Sequence, residues 1–137
     1  MREIKFRGRR MRSSDWIVGA YIPPDFTFWN APSIADRNFR YEVEPESIGQ
    51  FTGLVDIGGK EIYEGDILES RASENSLDWK RWEVSFRDGW FEAAYERIRR
   101  KKPQYERTCL CEDEITFYGF VVIGNVTDNP ELMEGKQ

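Results

Sequence analysis

The run RWEVSFRDGWFEAAYE, residues 81–96, constrains the fold more than any other part of the chain. Trp82, Val84 and Phe86 alternate with Glu83, Ser85 and Arg87, the period of a half-buried strand. Asp88-Gly89 then supplies a two-residue turn of the kind that tolerates positive φ, and WFEAAYE follows as the return strand. A second stretch, FTGLVDIGGKEIYEGDIL at 51–68, reads as strand, two-glycine turn, strand and second turn. Gly58-Gly59 allows a type I′ turn there. Gly65 takes the bend of Glu64-Gly65-Asp66, where a side chain would clash.

The same alternation recurs along the chain. Ile4 and Phe6 oppose Lys5 and Arg7 over residues 3–8, GRRMRSSD reads as a turn, and WIVGAYI (16–22) is a second strand ended by Pro23-Pro24. Together these predict an N-terminal hairpin. Residues 23–40 are irregular and aromatic, a packed loop or short edge strands. YEVE (41–44) is a short strand. Residues 69–80 are polar and loop-like. Residues 95–107 fit either a short helix or a charged strand stopped by Pro103. Residues 108–111 and 115–123 (ITFYGFVVI) read as strands. Asp128-Asn129-Pro130 reads as a helix start, with Asn129 as cap and Pro130 at the first position. The tally is about eight short strands around a core rich in rings, which predicts a small β-barrel or two sheets sharing a core.

The chain's 137 residues fit one domain, and a 33% charged fraction argues for a solvated surface. No apolar run approaches the roughly 18 residues of a membrane helix, and MREIKFRGRRMR lacks the apolar stretch of a signal peptide. The expected compartment is the cytoplasm.

Chemistry is bounded by what is missing. There is no histidine, which removes the commonest general base and metal ligand. No nucleophile elbow, phosphate loop or dinucleotide fingerprint occurs. Asp56, Glu61, Glu64 and Asp66 sit near the two turns of 51–68 without the spacing of a calcium loop, so they read as turn carboxylates. Cys109 and Cys111 lack a histidine partner, would share one face of a strand, and read as reduced thiols. The expectation is no enzyme, no cofactor and no metal.

Two readings concern partners. In the first, the aromatic loop supplies interface area, and Phe26, Phe28, Trp29 and Phe39 are the candidates, because large rings are favoured in interface cores. In the second, basic residues interleaved with rings contact nucleic acid. One cluster lies at 2–12 and another at 97–102, so the candidates are Arg7, Arg9, Arg10, Arg99, Arg100 and Lys101. The net charge of −5 counts against this second reading.

Five segments, REIKFRGRR, WIVGAYI, SIGQFTGL, GKEIYEGDIL and VIGNVTDNPELM, run in order along the chain and together resemble the YopX family. The likeness does not extend to 69–81 or 92–118. It implies a protein of bacteriophages and prophages, an SH3-like barrel in the C-terminal part, and self-association, as trimers, alongside an unknown phage or host partner. It brings no established activity, cofactor or catalytic residue, so none is carried onto Gly53, Tyr63, Gly65, Asp66 or Asn129. The expected architecture is a mainly β single domain. A β-hairpin and aromatic loop occupy 1–50, an SH3-like barrel 51–130 with a short helical turn at its end, and a tail 131–137.

Overall fold

The computed structural model describes residues 3–27, 30–71, 80–99 and 102–134, and of 96–99 and 102–104 the backbone alone. The chain divides into two compact units, Met1–Gly53 and Leu54–Gln137. Among the described residues it is mainly β, with eleven strands and one short α-helix.

In the first unit, β1 (Phe6–Arg9) pairs antiparallel with β2 (Trp16–Ile22), with Phe6 opposite Gly19 and Arg9 opposite Trp16. This is the hairpin that the alternation predicts. The aromatic loop contains two short strands, β3 (Ser33–Ala35) and β4 (Arg40–Glu42), and β5 (Gly49–Val55) follows. The order is β4-β3-β2-β1-β5. Ile34 and Val43 are fully buried here. Gly8 is needed beneath Val43, because a Cβ at residue 8 would meet the Val43 side chain at 2.9 Å.

In the second unit, the end of β5 leads through the turn 56–60 to β6 (Glu61–Tyr63). The main sheet follows: β7 (Asp66–Ser70), β8 (Arg81–Arg87), β9 (Trp90–Arg99), β10 (Lys102–Cys109) and, after the helix α1 (Glu112–Tyr118), β11 (Phe120–Asn125). The order β10-β9-β8-β7-β11 has two ends, and no closed barrel forms among the described residues. Asp88 and Gly89 both have positive φ, 54° and 92°, as the predicted tight hairpin requires. The core forms around Trp82, 1% exposed, whose ring meets those of Tyr95 at 4.5 Å, Tyr118 at 5.0 Å and Phe120 at 5.4 Å. Offset and edge-on rings at these spacings add to the burial term of each side chain. No helix among the described residues is long and apolar enough to cross a membrane.

Four expectations are corrected. ITFYGFVVI is not one strand: its first four residues end α1 and β11 starts at Phe120. Three acids in the first helical turn, Glu112, Asp113 and Glu114, favour the positive helix start. Gly119, at φ 64°, ends the helix in the left-handed conformation. Cys109 therefore closes β10 while Cys111 caps α1, so the two thiols, both free, do not share a strand face. Pro103 does not stop a segment at 95–107. It lies inside β10, opposite Ile98, and is tolerated because β10 is an edge strand. At Gly58-Gly59 only Gly59 has positive φ, 90°. Its N–H donates to the Asp56 carbonyl at 3.0 Å, while Asp56 N–H donates to the Lys60 carbonyl at 2.8 Å. This is a three-residue loop with a left-handed glycine at its end, rather than a type I′ turn. Asn129 does precede a 3-10 turn, Pro130–Met133, with proline at its start. Its side chain faces backwards, accepting from the Asn125 N–H at 3.3 Å.

Candidate functional site

Two of the four acids in the turns of 51–68, Asp56 and Asp66, resolve into structural carboxylates. Asp56 is 6% exposed, and its Oδ1 accepts the N–H groups of Gly58 (2.8 Å) and Lys60 (2.9 Å). Its Oδ2 accepts the Val122 N–H at 2.9 Å, fixing the turn to β11. Asp66, 1% exposed, accepts the Tyr63 N–H at 2.7 Å through Oδ2. These oxygens hold backbone groups that would otherwise be orphaned by the turns. Among the described residues, no group of three or more His, Cys, Asp or Glu converges to hold a metal.

The surface with chemical reach lies on the first unit. Asp36 opens the β3–β4 hairpin with an Asx turn, its Oδ1 accepting the N–H groups of Asn38 and Phe39, each at 2.8 Å. The Asp36 N–H donates back to the Phe39 carbonyl at 3.0 Å. The amides of Phe39 and Asn38 hold the Asp36 carboxyl below its ordinary value. The turn leaves the Phe39 ring in solvent, 64% exposed, with its centroid 6.0 Å from that of Tyr41. The Arg10 guanidinium lies over the Tyr41 ring at 5.1 Å. The pairing that brings them together is long-range: Arg10 bridges to Val43, and Met11 N–H donates to the Glu42 carbonyl at 3.0 Å. Arg10, Met11, Arg12, Arg40, Tyr41 and Glu42 line a groove of about 540 Å³.

The candidate residues separate by role. Phe26 ends a 3-10 turn, Pro24–Phe26, and is 75% exposed, so neither Phe26 nor Phe39 is taken into the core. Phe28 and Trp29 lie outside the described residues. Arg9 is committed to Glu44, with Nη2 at 2.6 Å and Nε at 3.0 Å from Oε2. Its backbone N–H donates to Ser47 Oγ at 2.7 Å. Arg7 is half-buried and lies over Trp16 at 4.9 Å. Of the candidates Arg7, Arg9 and Arg10, Arg10 alone lines the groove. Arg99 is placed by its backbone opposite Lys102 at the end of β9, and Arg100 and Lys101 lie outside the described residues. Sequence reading did not single out Arg12, Arg40 or Tyr41 as site residues. Arg12 belongs to the basic start, but only the strand pairing shows that Arg40 and Tyr41 join it.

The family pattern for YopX protein matches residues 12–134. The chain belongs to the YopX family. A search of curated proteins finds no match. Among solved structures, this YopX-family chain is similar to the crystal structure of protein EF1440 from Enterococcus faecalis. The two are 24% identical, the match covers 98% of this chain and all of that one, and the TM-score is 0.60. At that identity the likeness concerns the fold.

Proposed function

We propose that this chain is a non-enzymatic, self-associating protein-interaction module, and that two copies meet through the aromatic surface of the first unit. The carrying observation is the exposure of Phe26, at the end of a 3-10 turn, and of Phe39, in the turn between β3 and β4. Large rings held in solvent by defined turns are what interface cores use. Charge favours the same unit. Residues 1–53 hold eight Lys and Arg against seven Asp and Glu, whereas 54–137 hold twelve against eighteen. Association through the first unit avoids bringing the net-acidic units face to face. The non-enzymatic reading rests on a chain without histidine and on buried carboxylates engaged with backbone amides. The second unit is read as an SH3-like barrel left open along an edge, built on one aromatic core. Membership of the YopX family supports a phage or prophage origin and action in the bacterial cytoplasm.

Light scattering over a concentration series tests the proposal. A mass above the 16.2 kDa of one chain is expected, falling to 16.2 kDa in a Phe26→Ser, Phe39→Ser variant with an unchanged circular-dichroism spectrum. A wild-type mass of one chain at every concentration refutes self-association.

A further inference from the structure

Arg10, Arg12 and Arg40 converge on one groove, and none of them forms an ion pair among the described residues. Their neighbour in sequence, Arg9, has its carboxylate partner. The lining holds three guanidiniums and one carboxylate, Glu42, so the groove is net positive. Arg12 is also held at φ 60°, a conformation non-glycine residues rarely adopt. The Arg10 guanidinium lies over the Tyr41 ring, 5.1 Å from its centroid, and that cation–π contact holds its charge at the groove. The rest of the lining is Met11, 41% exposed, and the half-buried Tyr41 ring, which give one wall an apolar face.

We propose that this groove binds the phosphate of a ring-bearing ligand, a nucleotide, free or within a single strand. A carboxylate offers two oxygens and one charge, enough for one guanidinium fork. A phosphate offers more acceptors and up to two charges, and so engages several arginines at once. The aromatic and thioether wall suits the flat base attached to it. The volume of about 540 Å³ falls within the range of small-ligand sites.

The test uses the full chain and three probes: thymidine monophosphate, a twelve-residue oligothymidylate and a glutamate-rich peptide. Binding of at least one thymidine probe is expected at about 50 mM salt. Preference for the monophosphate assigns a free nucleotide, and preference for the oligomer assigns a strand. For the oligomer, three phosphate contacts predict a log–log salt slope of about −2. Each of Arg10→Ala, Arg12→Ala and Arg40→Ala is expected to weaken binding about tenfold or more, from loss of charge-assisted hydrogen bonds. Arg71→Ala and Arg87→Ala, in the second unit, are expected to leave it unchanged. Phe26→Ser alone, at a ring outside the groove lining, is expected to keep binding, which separates this site from the aromatic surface at Phe26. No binding of either thymidine probe overturns the proposal. So does binding that survives the triple arginine variant while its circular dichroism is native, and so does tighter binding of the acidic peptide.

Discussion

At the scale of single residues, buried carboxylates do the work that sequence reading assigned to turns. Asp56 accepts three backbone N–H groups, one of them from β11. Asp56→Ala strands all three and is expected to cost about 2–4 kcal/mol in urea unfolding. Asp56→Asn should cost less, because the amide keeps one acceptor but turns an N–H toward one of the donors. Equal stability of the two variants and wild type would contradict this role. Asp36 gives a pH signature. Its folded-state pKa is lowered by the Phe39 and Asn38 amides, so its contribution is present above the ordinary Asp value of 3.8. That contribution is lost as pH falls through the lower folded value. The Phe39 amide resonance should therefore titrate with a midpoint below 3.8, and the Asp36→Asn variant should lose the transition. A midpoint at or above 3.8 would remove the Asx turn from the account. That acids belong in these turns was legible in sequence. Which backbone groups they hold was not, since the Val122 N–H is 66 positions from Asp56.

Elements whose information is local were legible: β2 spans WIVGAYI, and Asp88-Gly89 turns β8 into β9. The 112–118 helix was missed because ITFY carries β-branched and aromatic residues that suit strands, and its helical signal lies in the acids before and the glycine after. The 95–107 segment was ambiguous because its alternation is masked by charge, and the β9–β10 ladder shows its described residues, 95–99 and 102–107, as strand. Tight strand packing gives the element-scale prediction. A Cβ on Gly19, in β2, would overlap the Ala35 carbonyl oxygen in the neighbouring β3. Because the obstacle is backbone, Gly19→Ala should force the strands apart and cost about 1–3 kcal/mol. Chemical denaturation with a midpoint at or above wild type would show that the sheet yields freely.

For the whole molecule, the mainly β class follows from alternation and turns, while the division into two units and the groove depend on strand pairings between distant segments. Sequence reading found the basic start and the aromatic loop separately. The Arg10–Val43 bridge and the Met11–Glu42 hydrogen bond place Arg10 beside Tyr41, and the same fold commits Arg9 to Glu44. The most direct measurement is hydrogen–deuterium exchange by mass spectrometry at low and high protein concentration. The account predicts that peptides containing Phe26 and Phe39 gain protection as concentration rises, while those from 80–95 and 105–125 do not. Protection that rises only in the second unit, or nowhere, would contradict it.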